Sequence, residues 1–148
     1  EFSKKKNLPK PVLASGDKLP FKSKLFNSSF AIRIIWHHPK SKSLAIIKEM
    51  VRVSSSFVIF DIVNKKRLFK FLITPNTYPV DLKNFIEICK KESGIKIEKI
   101  IPMDVTLPIW LNLFPKKLAK KLYPSLYKLD LKLARIIPPG RYFLKFKL

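Results

Sequence analysis

The chain has 148 residues, enough for one domain with a genuine hydrophobic core and too few for several. Its hydrophobic content of 47% excludes a disordered polymer, and no run of about eighteen apolar residues exists that could span a membrane. A formal charge of +21, from 31 Lys and Arg against 10 Asp and Glu, is compatible with a polyanionic partner or with a generally lysine-rich surface.

The single cysteine, Cys89, has no internal disulfide partner, so a reducing cytoplasm is expected. The polar, lysine-rich amino end is not the pattern expected of a secretory signal. Two histidines and one cysteine give no metal-ligand spacing. The sequence begins at Glu1 rather than Met, as expected of a trimmed chain or a piece of something longer.

In chain order, the run Pro11–Ala14 predicts a short strand ending in the turn Ser15-Gly16-Asp17. Leu19-Pro20-Phe21 then begins a loop. Ser29–Trp36 is nearly continuously apolar and Ile-rich, which predicts a strand covered on both faces and stopped by His37-His38-Pro39. A helix is expected after Ser41 or Ser43, with Leu44, Ile47, Met50 and Val51 inward. Phe57–Val63 predicts a second buried strand, while Leu68–Thr74 is too short to assign by periodicity. Asp81–Ser93 predicts a helix capped by Asp81, with Leu82, Phe85, Ile86 and Cys89 inward and Gly94 as its left-handed stop. Ile95–Ile101 and Arg141–Leu148 predict two further strands. Between them, Leu118, Leu122, Leu126, Leu129, Leu133 and Ile136 recur every three or four residues opposite a set of lysines and Arg135. That pattern predicts a basic amphipathic helical insertion, broken near Pro115 and Pro124. Alternating strands and helices of this kind predict an α/β fold with a mostly parallel sheet and a helical insertion before the last strand.

The segment from Ser15 to Lys65 resembles the middle of the class I S-adenosylmethionine-dependent methyltransferases, in the broad group called type 11. The resemblance rests on Gly16-Asp17, Leu19-Pro20-Phe21, Trp36-His37-His38 and Glu49-Met50-Val51-Arg52-Val53, in that order. Beyond about residue 64 only the order of elements agrees. Asn27 stands where the family usually has Asp. The glycine-rich segment of the family is missing, since Gly16, Gly94 and Gly140 lie far apart. The resemblance implies a Rossmann-like sheet with an antiparallel last strand, lacking its first strand or strands. Residues 1–148 would form one partial domain, with 1–103 and 139–148 as sheet core and 104–138 as the insertion, a candidate substrate cap.

It also implies S-adenosylmethionine as cofactor, with Asp17, Lys18 and Leu19 at the adenine, Glu1 at the ribose, and Arg33 and Ile34 beside the methionine part. A turn-forming role is the alternative for Asp17, and a salt bridge to a protein acid is the alternative for Arg33. His37 either orients substrate and takes a proton, or packs and caps the turn. The leucine stripe of the insertion either packs on the sheet or lies on an anionic membrane surface. The expected function is methyl transfer to an unidentified acceptor, by a chain that is inactive alone because the glycine-rich loop is missing. The alternative is an inactive remnant binding nucleic acid or a membrane surface through its lysines. The expected location is the cytoplasm, with peripheral attachment to the inner membrane surface as its variant.

Overall fold

The computed structural model describes residues 11–68 and 76–148. The elements run β1 (Phe26–Ala31), a 3-10 turn (Ile35–His37), α1 (Lys40–Val53), β2 (Ser54–Val63), α2 (Leu82–Ser93), β3 (Lys96–Met103), α3 (Leu107–Leu113), α4 (Lys116–Leu133) and β4 (Arg141–Lys147). The four strands form one sheet in the order β1-β2-β4-β3. β1 and β2 pair in parallel, and β4 pairs antiparallel with both β2 and β3. β1, β2 and β3 therefore share one direction, and β4 runs against them from an inner position.

One sheet face carries the core. Val58, Phe60 and Ile62 of β2 point the same way, as period-2 strand geometry requires. They meet Leu144 and Phe146 of β4, Ile46, Ile47 and Met50 of α1, and Phe85, Ile86 and Cys89 of α2. Phe60 stacks on Phe146 at a centroid distance of 5.3 Å and meets the Phe85 ring edge-on at 6.4 Å. Each of these buried aromatics contributes roughly 2–3 kcal/mol of transfer free energy, so an α2 without Phe85 would be poorly anchored.

α2 forms as its sequence dictates. The Asp81 carboxylate accepts from the Asn84 N–H at 3.3 Å, and Gly94 ends the helix at φ 66°, its N–H bonding to Lys90 O at 2.9 Å. α1 begins earlier than expected, with Pro39 as its N-cap. Ser43 is not a cap: its buried hydroxyl lies 2.7 Å from Ile35 O and 3.1 Å from His38 O.

Three expectations are corrected. Residues 11–14 form no strand, and Leu13 is wholly exposed, because nothing among the described residues pairs with them. The strand expected over Ser29–Trp36 is displaced to Phe26–Ala31. Its second half leaves the sheet at Arg33, whose φ of 59° turns the chain so that Ile35 and Trp36 enter the core from the 3-10 turn. Pro115 separates α3 from α4, but Pro124 lies inside α4 without ending it. Pro124 and Lys120, whose carbonyl would otherwise receive a bond from residue 124, are both on the exposed side, where water can hydrate that oxygen. The leucine stripe of α4 is divided: Leu118 and Leu129 are exposed, whereas Leu122, Leu126 and Leu133 are half-buried. α4 rests chiefly on α3 and touches the sheet along β3, burying only Ala119 and Asp130. The segment Leu68–Thr74 falls almost entirely outside the described residues.

Candidate functional site

The carboxyl ends of β1, β2 and β3 lie at one edge of the sheet, where β4 begins. In open α/β sheets this edge is the usual seat of ligands. Its centre is a buried polar knot around Asp61, a lone acid in the apolar β2. The Asp61 carboxylate is fully buried and accepts from the Arg33 backbone N–H at 2.6 Å and from Trp36 Nε1–H at 3.1 Å. The Arg141 guanidinium completes it, with Nη1 at 3.4 Å, while Arg141 Nε–H donates to Asp104. A buried carboxylate persists only with such partners. Gly140 is needed beside it, because a Cβ there would lie 2.6 Å from the Asp104 carbonyl oxygen that its own N–H bonds at 3.0 Å.

This knot sets the conformation of the turn after β1. Asp61 takes the Arg33 N–H, so the chain turns at Arg33 instead of continuing as strand. The Arg33 side chain is therefore exposed rather than held in a buried strand, and the expected salt bridge to a protein acid is replaced by a bond from its backbone. Ile34, like Ile32, is about two-fifths exposed, at 43% and 44%. His37 stacks on Trp36 with ring centroids 3.9 Å apart, and its Nδ1 lies 3.3 Å from Asn76 O. A carbonyl there makes Nδ1 the protonated nitrogen and leaves Nε2 as the basic one.

A second network positions Asp17. Lys18 N–H donates to Ser15 O at 3.0 Å, closing a tight turn whose Gly16 packs against Ile46 of α1. The Ser15 hydroxyl donates to the Asp17 carboxylate, and this bond, with the Asp17 backbone N–H, lowers the carboxyl pKa. The charges of Lys42 and His38 lower it further. The next residues are held to α1 by a clamp. Leu19 N–H donates to Glu49 at 2.8 Å. Arg52 pairs with Glu49 at 2.7 Å and donates to Phe21 O at 2.7 Å and Leu19 O at 3.0 Å. Arg52 and the Leu19 N–H hold the Glu49 carboxyl down to about 2. Two of the sequence motifs, Leu19-Pro20-Phe21 and Glu49 to Arg52, are thus the two halves of one contact.

Gly16 thus packs on α1 and Asp17 feels the charges of Lys42 and His38 near the start of that helix, while Arg33, Ile34 and His37 stand on the turn after β1. Lys18 is exposed and Leu19 half-buried. Glu1 lies outside the described residues. Sequence reasoning missed Asp61, although a single carboxylate inside the run Phe57–Val63 was the signal for it.

Three codirectional strands, an antiparallel strand inserted between the last two, and turns gathered at the carboxyl edge define the fold of the class I S-adenosylmethionine-dependent methyltransferases, an α/β Rossmann-like architecture. The chain is similar to a S-adenosylmethionine-dependent methyltransferase from Archaeoglobus fulgidus, with a TM-score of 0.59 at 17% identity over 93% of this chain and 66% of the other. It is similar to the cyclase SpnF, with a TM-score of 0.63 at 14% identity over 99% and 59% of the two chains. The magnesium protoporphyrin IX methyltransferase of Synechocystis, solved with bound S-adenosylmethionine, matches at a TM-score of 0.54 and 10% identity over 95% and 46%. The chain thus spans between about half and two-thirds of the length of these structures. No protein-family model matches it, and no curated protein sequence is significantly similar.

Proposed function

We propose that this chain is the carboxyl-terminal portion of a S-adenosylmethionine-dependent methyltransferase domain and supplies one wall of its cofactor pocket. The observation that carries this reading is the Asp17 turn, whose Gly16 packs against Ile46 of α1 and whose carboxylate feels the charges of Lys42 and His38 near the start of that helix, while the Glu49–Arg52 clamp holds the following Leu19 and Phe21 to its last turn. The residues suit an adenosyl group. Ser15 bonds one oxygen of the Asp17 carboxylate, and the second can accept from an exocyclic amine. Ile32 and Ile34 add exposed apolar surface on the neighbouring turn. When bound, the cofactor would supply an electrophilic methyl group. The chain's part is to hold donor and acceptor in line, a contribution of up to about 7–11 kcal/mol in well-aligned systems. His37 supports this with a basic Nε2, oriented through Nδ1, that can take the acceptor's proton.

The test is a titration of S-adenosylhomocysteine followed by NMR. One wall predicts weak binding, with amide shifts confined to Asp17–Leu19 and Ile32–Ile34 and abolished by Asp17→Ala. Shifts elsewhere, or none at millimolar ligand, would refute the site. Low-micromolar affinity by calorimetry would refute the one-wall reading.

A further inference from the structure

The helical hairpin α3–α4 carries a surface that the proposed cofactor wall does not involve. Along α4, residues about three turns apart fall into rows. Ala119 and Asp130 form the inward row and are buried at 7% and 1% exposure. Leu118 and Leu129, roughly a quarter-turn away, form a second row and are exposed at 42% and 43%. Lys121 and Lys132 form a third, about one-sixth of a turn further on. On α3, Ile109 and Leu113 share a face and are also exposed, Leu113 at 67%. The hairpin thus presents leucine and isoleucine to solvent with lysines alongside them.

The charge on this surface has one sign. Lys116, Lys117, Lys120, Lys121, Lys128 and Lys132 are all exposed, and none of them enters an ion pair among the described residues. The single acid of α4, Asp130, is turned inward. Its carboxylate accepts from the backbone N–H groups of Val105, Thr106 and Leu107 at 3.1, 2.7 and 2.9 Å. No described helix is long and apolar enough to cross a membrane.

We infer that the α3–α4 hairpin docks on an anionic lipid surface, with the Leu118/Leu129 row entering the acyl boundary and the neighbouring lysines reaching the headgroup phosphates. An exposed apolar row beside lysines whose stems can lie along it is the pattern of interfacial helices. Charge complementarity selects the partner. A nucleic acid would take the lysines but leave the leucines in water, whereas a second copy would set lysines against lysines. An anionic bilayer satisfies both rows at once. The inference stands on the hairpin alone and does not depend on the cofactor reading.

The experiment is co-sedimentation of the full chain with phosphatidylcholine vesicles, with and without phosphatidylglycerol. Binding is expected only where phosphatidylglycerol is present. Each surface lysine contributes roughly a fivefold factor near an anionic membrane, so Lys121→Glu/Lys128→Glu/Lys132→Glu is expected to lower partitioning by about a hundredfold or more. The charge-matched control on α2, Lys83→Glu/Lys90→Glu/Lys91→Glu, is expected to change it by less than about threefold. Leu118→Ser/Leu129→Ser keeps the charge and is expected to lower partitioning by about twentyfold. Both altered sites are exposed, and an unchanged melting temperature would confirm the fold. Should the serine variant fold poorly, the two lysine variants still decide. The inference is overturned if the α2 control loses as much binding as the α4 variant, which would mean diffuse attraction by net charge. It is equally overturned if the serine variant sediments like the parent. A concentration-dependent dimer lost with Leu118 and Leu129, or random DNA bound in preference to vesicles through the α4 lysines, would also overturn it.

Discussion

Asp130 offers a sharp test of how the hairpin is built. Its Oδ1 accepts from the Thr106 and Leu107 N–H groups, and its Oδ2 from Val105 N–H. These amides open α3, so one carboxylate from α4 satisfies donors at the start of the neighbouring helix. Asp130→Asn is nearly isosteric but replaces one acceptor with an NH2 group. With the amide oxygen at the Oδ1 place, Val105 N–H would face a donor, and the remaining two bonds would lose their charge assistance. A charge-assisted bond contributes about 1.5–3 kcal/mol and a neutral one about 1, so the summed loss is about 2.5–7 kcal/mol. Because α4 rests chiefly on α3 and touches the sheet mainly along β3, the loss should be local. Hydrogen exchange read by NMR should show the Val105, Thr106 and Leu107 amides exchanging at least about a hundredfold faster. Amides of Val58 and Phe60 should keep their protection. A change below about tenfold at the first set, or an equal loss at the second, would refute the clamp.

Glu49 gives a pH signature. Its folded pKa of about 2 lies below the ordinary 4.5, so its contribution is complete above about pH 4.5 and is lost as pH falls toward 2. The stability difference between the parent and Glu49→Gln should therefore vanish across that window in denaturant titrations at successive pH values, and a constant difference would sink the clamp. Cys89 is buried, and desolvation pushes its thiol up to about 12. A thiol reagent should modify it only after denaturation, and rapid labelling of the native chain would contradict its placement. Gly140→Ala should lower stability by about 1–3 kcal/mol through the close approach to Asp104, read as a fall in melting temperature. No change would mean that the turn has room to relax.

Local chemistry was legible where it acts locally. Asp81 and Gly94 fixed the ends of α2, and the apolar run Phe57–Val63 located β2. The lysine-and-leucine period revealed α4. What the sequence concealed depends on contacts between distant residues. The end of β1 is decided by Asp61, twenty-eight positions beyond the Arg33 amide that it captures. The insertion of β4 between β2 and β3 is a matter of strand order that periodicity does not encode. The exposure of Leu118 and Leu129 was equally hidden, because an amphipathic stripe has the same period whether it meets a sheet or water. Of the candidate site, the motifs were visible as residue types, while the Glu49–Arg52 grip on Leu19 and Phe21 emerged only in three dimensions.

The place of β4 in the sheet has a kinetic consequence. Its register sets Phe57 opposite Lys147 and Val63 opposite Arg141, so the central ladder closes a loop holding most of the molecule. Until that ladder forms, the β3–β4 pair is not joined to β1 and β2, and the rings of Phe60 and Phe146 stay apart. Such distant pairing slows the search for the native state, and β2 exposes its apolar face until β4 has been made and has found it.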